Sequence, residues 1–410
     1  MPRSTKSPDV SSQASTPLAG LKVLDLCRVL AGPYCAMILG DMGAEVVKIE
    51  HPIGGDNARG NGPFFDGLSS YFASINRGKT SVTLDFSTER GKEVLLALVK
   101  EADVLVENFV PGTMDRLGLG NETLRKLNPR LIYCAVSGFG QTGPYSHLPA
   151  VDVIVQGMGG IMSITGEPGG PPIRPGVSYG DIVAGLFATI GILTAINERT
   201  VSGQGQLVDI SMMDCQVAVL ENAFSRYFAG GDLPQPIGTR HPVTAPFQAF
   251  RASDGWFTVA VLGGRVDKWP LFCSAIDRLD LIGNPDYGTG WLRVQNYATL
   301  EPVLNEALRE RTVAEWVETF QELEIPSGPV NGIEEAAADP QVEAREMFVD
   351  VTSSGGTKVR LVNTPIKLSR TPGVVNQASP ELGEQTEKVL ADWLGLTKSA
   401  VASLRADGAV

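Results

Sequence analysis

Along its amino-terminal third the chain repeats one grammar: a short apolar run, a loop, a stretch of helical periodicity, and another apolar run. Leu21-Lys-Val-Leu-Asp-Leu-Cys27 leads through Arg28-Val-Leu-Ala-Gly-Pro33 into a helix-length stretch ending near Gly40, then Ala44-Glu-Val-Val-Lys-Ile-Glu50. Ser81–Asp85, a helix from Thr88 to Glu101 and Asp103–Glu107 follow the same order, and Thr123–Leu127 then Leu131–Val136 supply another helix and strand. Strands that are apolar without alternation are buried on both faces, so the pattern predicts a parallel sheet covered by helices on both sides, an α/β fold. Pro33 suits a helix's first turn, and Gly32 is expected to let the loop backbone approach a ligand.

Beyond this, Ile182–Asn197 is an uncharged apolar stretch with Gly185 and Gly191 inside it, shorter than the roughly 20 residues that cross a bilayer, and reads as a core helix. From about Gly230 the texture becomes Gly/Pro-rich. Phe247–Phe250, a turn at Ser253-Asp-Gly255 and Trp256–Leu262 form a hairpin pattern. Amphipathic stretches follow near Lys268–Asp277, Leu300–Arg309 and Val313–Leu323, which predicts a smaller α+β domain over 230–325. Periodicity alone does not say where the strand-like Thr357–Val362 and the helix at Glu384–Leu394 belong. The Ser/Thr/Pro-rich segment 1–17 has no apolar core of a secretory signal and reads as a disordered tail.

Composition limits the chemistry. With 34 Lys plus Arg against 46 Asp plus Glu, the net charge of −12 disfavours nucleic acid and anionic membranes as partners. The 5 cysteines have no C-x-x-C spacing and the 3 histidines, His51, His147 and His241, form no H-E-x-x-H pair, so neither a disulfide framework nor a metal site is expected. Free thiols point to a reducing, cytoplasmic setting. The first βα loop invites a dinucleotide reading, but it holds one glycine where G-x-G-x-x-G needs three.

The most suggestive carboxylate is Asp181, in Val177-Ser-Tyr-Gly-Asp-Ile182 between a Gly/Pro-rich loop and the apolar helix. Read plainly it is a helix N-cap. A carboxylate held ionised at a helix N-terminus also suits a nucleophile, and Gly159-Gly160, Gly169-Gly170 or Gly263-Gly264 would offer backbone N–H groups to an oxyanion. Both readings stay open on the residues alone.

The ordered set Leu18-Ala-Gly-Leu-Lys-Val-Leu-Asp-Leu26, Ala31-Gly-Pro33, Leu39-Gly-Asp-Met-Gly-Ala-Glu-Val-Val-Lys-Ile-Glu50, Val106-Glu-Asn-Phe109, Gly138-Phe-Gly-Gln-Thr-Gly-Pro144, Gly180-Asp181, His241-Pro242, Ile325-Pro-Ser-Gly-Pro329 and Pro365-Ile-Lys-Leu-Ser-Arg-Thr-Pro372 resembles the class III CoA-transferases. That group includes formyl-CoA:oxalate, carnitine, bile-acid and succinyl-CoA:dicarboxylate CoA-transferases and is related to α-methylacyl-CoA racemases. The resemblance implies that Asp181 is the nucleophile and that coenzyme A is handled as a thioester substrate, with no permanently bound cofactor. It places coenzyme contacts on Leu30, Ala31, His51, Leu84 to Ser87, Asn108, Phe109, Arg116 and Asp152. His51 stands where a relative has arginine. Val151 stands where racemase-like relatives carry histidine; a valine exchanges no α-proton, so transfer is favoured over racemisation.

For a second carboxylate on the substrate, Arg59, Arg77 with Lys79, Arg174 and Arg240 are candidate cations, with Gly263 and Gly264 beside the reacting carbonyl. They favour a succinyl-CoA donor and a dicarboxylate acceptor such as malate or citramalate, with an oxalate- or carnitine-type acceptor as the alternative. The resemblance also implies a Rossmann-like large domain built from 18–229 and 326–410, the small domain inserted at 230–325, and an interlocked homodimer, with a paralogous second subunit as the alternative.

Overall fold

The apolar runs form one six-stranded parallel sheet: β1 (Lys22–Asp25), β2 (Glu45–Glu50), β3 (Thr80–Thr83), β4 (Val104–Glu107), β5 (Ile132–Ser137) and β6 (Leu207–Ser211). In this computed structural model residues 16–231, 233–262 and 267–410 are described; most of the amino-terminal tail and the Gly263-Gly264 pair lie outside them. The strand order is β3-β2-β1-β4-β5-β6. Such an order reverses direction between β1 and β4, and ligands of open α/β sheets bind at the carboxyl ends of the strands beside that reversal.

Helices cover both faces. On one, α1 (Ala31–Asp41) packs against α5 (Tyr179–Ser202), with Val23, Cys35, Leu39, Val106, Ala184, Ala188 and Ile192 in the shared core. On the other, α3 (Glu89–Glu101) buries Leu95 and Leu98 with Leu24, Val47 and Leu84. Thr88 caps α3, accepting the Gly91 N–H at 3.0 Å, as its place before the periodic stretch predicts. Between β3 and the preceding strand lies α2 (Ser70–Asn76), and between β5 and α5 lies α4 (Asp152–Met158).

The long helix departs from the sequence reading. The helix expected over 182–197 runs from Tyr179 to Ser202, 24 residues, because polar residues at both ends continue it; this reaches membrane-spanning length. Its inner face nevertheless closes on α1, where a Cβ on Gly185 would lie 2.8 Å from the Ala31 carbonyl oxygen.

The chain divides into two compact units. The first contains the sheet, Pro175–Asn222 and Glu343–Val410; the second comprises Met162–Arg174 and Ala223–Val342. Within the second, β7 (Phe247–Arg251) and β8 (Trp256–Ala260) form the hairpin expected around Ser253-Asp-Gly255. The segment Ser327–Pro329, placed by the sequence reading beyond a boundary at 325, pairs with β8 as β9, and this pairing carries the second unit past that boundary. In the first unit the carboxyl-terminal helix Thr386–Leu394 places Val389, Leu390 and Trp393 in the core beneath α3 and β3.

Candidate active site

At the carboxyl ends of β1 to β4 the first unit holds a cleft of about 280 Å³, lined by Leu26, Arg28, His51, Leu84, Phe86 and Phe109 among others. Its shape is fixed by a buried charge network. Lys79 Nζ donates to Asp25 Oδ2 (2.8 Å), to Asn76 Oδ1 (2.8 Å) and to the Pro33 carbonyl (2.9 Å). Lys48 Nζ donates to the Cys27 carbonyl (2.8 Å) and pairs with Asp56 at 2.9 Å. Burial pushes the Asp25 carboxyl up, but Lys79 and Lys48 outweigh it and hold it below the ordinary carboxylate range.

This network sets the first loop. Asp25 Oδ1 accepts from Cys27 N (3.0 Å), and Asp56 Oδ1 accepts from Val29 N (3.1 Å), supporting Val29 at φ 66°, a strained conformation for a β-branched residue. Asn108 then imitates a backbone partner: its Oδ1 accepts from Arg28 N at 2.9 Å and its Nδ2 donates to Arg28 O at 2.8 Å.

The coenzyme contacts expected from sequence therefore separate. His51, Leu84 and Phe109 line the cleft. The His51 Nδ1 accepts from Ile53 N (3.0 Å) and its Nε2 faces Asp85 at 3.7 Å. Phe109 stacks edge-on against Phe86, and the Arg28 guanidinium lies 5.5 Å from its ring centroid. Arg116 is exposed and donates to Oγ1 of the cleft residue Thr113 at 2.9 Å. Leu30, Ala31 and Asn108 lie outside the lining; the first two are buried at the start of α1 and the third braces the loop. Gly32 serves packing instead of ligand approach, since a Cβ there would fall 2.2 Å from Cys27 Sγ. Asp56, Thr113 and Leu117 were not singled out by sequence; Asp56 follows a Gly-Gly turn, the one local hint of a functional loop.

Among the candidate cations, Arg59, Arg77 and Lys79 already hold carboxylates. Arg59 forms a two-pronged pair with Glu50, at 2.8 and 2.7 Å, and donates to the Pro380 carbonyl. Arg77 pairs likewise with buried Asp41. Arg59 thus has Glu50 as its carboxylate partner. Arg174 and Arg240 lie in the second unit, where Arg240 sits over the Tyr297 ring at 5.1 Å.

Asp181 is half-buried in the first turn of α5, at its third residue, so the N-cap reading is corrected: the cap position is Ser178, whose side chain makes no capping bond. Capping comes instead from Asp152. This residue is buried, its Oδ1 accepts the Gly180 N–H at 2.8 Å, and its Oδ2 accepts from Gln156 Nε2 at 2.7 Å. It does not line the cleft at the carboxyl ends of β1 to β4. The Tyr71 phenol is made less acidic, first by burial and then by the charges of Asp181, Asp56 and Asp152, so one side chain senses both the cleft residue Asp56 and Asp181. Of the glycine pairs within the described residues, the Gly159 and Gly170 N–H groups close turns onto Val155 and Glu167. Val151, exposed, precedes Asp152.

A family model described as CoA-transferase family III matches residues 18–386. The succinate–glutarate CoA-transferase of Agrobacterium fabrum is 39% identical over 94% of this chain and 97% of its own length. The acetyl-CoA:oxalate CoA-transferase of Acetobacter aceti is 42% identical over 86% of this chain and 89% of its own. Among solved structures, a CAIB/BAIF family protein from Brucella suis superposes with a TM-score of 0.82 at 38% identity, covering 92% of this chain and all of the other.

Proposed function

The chain belongs to CoA-transferase family III, and on that premise we propose that it moves coenzyme A from succinyl-CoA to a dicarboxylate through covalent intermediates on Asp181. The observation that carries this reading is a carboxylate in the first turn of a long helix, in the same unit as a cleft at the carboxyl ends of β1 to β4. The Asp181 carboxylate attacks the donor thioester carbonyl, forming a mixed anhydride and releasing CoA thiolate. The thiolate attacks the aspartyl carbonyl, which expels the donor acid as carboxylate and leaves an aspartyl-CoA thioester. The acceptor carboxylate attacks that thioester, giving a second anhydride and free thiolate. The thiolate then takes the acceptor acyl group, and Asp181 returns as carboxylate. Each step exchanges one acyl bond for another, so the sequence needs no ATP.

The cleft offers His51, Arg28 and nearby Arg116 to the phosphates of coenzyme A, and Phe86 and Phe109 as apolar surface. The dicarboxylate acceptor rests on the succinate–glutarate relative; the oxalate relative supports a smaller diacid as the second reading. The homodimer belongs to the same proposal. Leu186, Ile190 and Leu193 form an exposed apolar stripe along α5, beside exposed Val153, Ile154 and Met158 on α4, a surface suited to a second copy.

Mass spectrometry of ATP-free mixtures of succinyl-CoA with malate, citramalate, itaconate, glutarate or oxalate tests the reading. We expect a new acyl-CoA with at least one diacid, and a CoA adduct on the peptide containing Asp181 that is absent from Asp181→Ala. Undiminished turnover in Asp181→Ala would sink the mechanism.

A further inference from the structure

We infer that Asp152 is the positioning residue for the nucleophile: by accepting the Gly180 N–H it fixes the first turn of α5 and hence the backbone that carries Asp181. The inference rests on the nucleophile reading of Asp181 given above. A helix N-terminus leaves N–H groups without intrahelical partners. Here Tyr179 N donates to the Val177 carbonyl at 2.8 Å, and the Gly180 bond to Asp152 is a side-chain anchor tying this turn to another element. A buried carboxylate suits that place because the helix dipole and a charge-assisted bond both favour it.

The surroundings are built for the contact. A Cβ on Gly180 would lie 2.8 Å from Val155 Cγ2 and 3.1 Å from Asp152 Oδ1, so only glycine lets α5 approach α4 this closely. Asp152 is itself aimed by Gln156, one turn along α4 and completely buried, whose Nε2 donates at 2.7 Å. The other Gln156 atom, Oε1, is buried without a hydrogen-bond partner. Rotating that amide would present an acceptor to an asparagine at position 152, at the cost of its long bond to the Val177 carbonyl (3.4 Å), so Asp152→Asn is the conservative variant that keeps an acceptor for Gly180.

The test compares Asp152→Ala and Asp152→Asn in the full-length protein, by steady-state kinetics and by amide hydrogen exchange at Gly180. A lost anchor displaces the nucleophile without touching the coenzyme cleft. We expect kcat to fall about 100-fold in Asp152→Ala with KM for acyl-CoA within about 2-fold, and Asp152→Asn to recover to within about 5-fold. Exchange at Gly180 should speed up in the alanine variant and not in the asparagine one. A raised KM at unchanged kcat would instead make Asp152 a coenzyme contact and overturn the inference, as would equal losses in both variants or wild-type kcat in Asp152→Ala. If alanine at 152 prevents folding, the asparagine variant still decides: loss of kcat in a folded Asp152→Asn overturns it. Turnover that survives Asp181→Asn would remove the nucleophile reading, and with it the catalytic half of this one. Gly180 exchange in Asp152→Ala then shows separately whether the anchor exists.

Discussion

Arg59 grips Glu50 with both prongs of its guanidinium, Nε to Oε2 at 2.8 Å and Nη2 to Oε1 at 2.7 Å, and lies over Phe72, 3.8 Å from the ring centroid. Glu50 is almost wholly buried and also accepts from Ser81 Oγ and Asp56 N. Arg59→Ala would strand that carboxylate, so denaturant unfolding should show a loss of about 3–5 kcal/mol, with Arg59→Lys between because it lacks the fork. An unchanged unfolding midpoint together with a raised KM for the diacid would refute this structural role and make Arg59 a substrate contact.

Gly32→Ala should destabilise the protein by about 1–3 kcal/mol, the ordinary cost of overpacking a filled core. The new methyl would overlap Cys27 Sγ at 2.2 Å and Cys27 Cβ at 2.7 Å. Cys27→Ala removes the sulfur and should recover part of the loss, read as a favourable coupling in a double-mutant cycle of thermal melts. Strict additivity of the two substitutions would mean the clash is relieved elsewhere.

Asp25→Asn should be among the most damaging single-atom changes in the chain. It leaves the Lys79 ammonium, with side-chain exposure of 0%, to Asn76 and a backbone carbonyl. A loss of about 3–5 kcal/mol is expected from breaking a buried pair, with coenzyme binding falling too as the first loop loses its anchor. Because Asp25 is held below its ordinary range, its contribution is present above the unfolded carboxylate range and disappears as pH falls through the folded value. Acid unfolding of the wild type should therefore be steeper than that of Asp25→Asn, and matching acid profiles would refute the assignment.

What was legible in the sequence follows from the range of the forces involved. β1, β2, β4 and β5 announce themselves because adjacent apolar residues, buried on both faces, break the alternation of a half-exposed strand. β6 does not: Leu207-Val-Asp-Ile-Ser211 lies at the sheet edge, half exposed, directly after a long helix. β9 hides in Ser327-Gly-Pro329, whose composition reads as a linker. At the site, Asp181 stood out because carboxylate and helix start are adjacent in sequence. The Asp152–Gly180 bond spans 28 residues and two helices, which no periodicity records. For Arg59, residue type says that it seeks a carboxylate but not that Glu50, nine positions earlier, already supplies one.

Glu107, at the carboxyl end of β4, should give the chain a pH dependence near neutrality. Burial pushes its carboxyl up to about 7, aided by the charges of Asp115 and Asp209 and opposed by the Phe109 N–H and the Tyr133 hydroxyl. In the unfolded chain it ionises near 4.5, so below that pH both states are protonated and its contribution is complete. As pH rises the unfolded state ionises first, and stability is lost until the folded carboxyl also ionises at about 7. The interval corresponds to about 3 kcal/mol for this group. Glu107→Gln keeps an acceptor for Phe109 N–H, which the wild type bonds at 2.7 Å, and does not titrate. Urea midpoints measured from pH 4 to 8 should thus fall more steeply for the wild type than for Glu107→Gln, with the curves running parallel above pH 8. Because Phe109 lines the cleft, coenzyme affinity should weaken over the same interval in the wild type alone. Parallel stability curves across the whole range would show that Glu107 is already ionised in the folded protein.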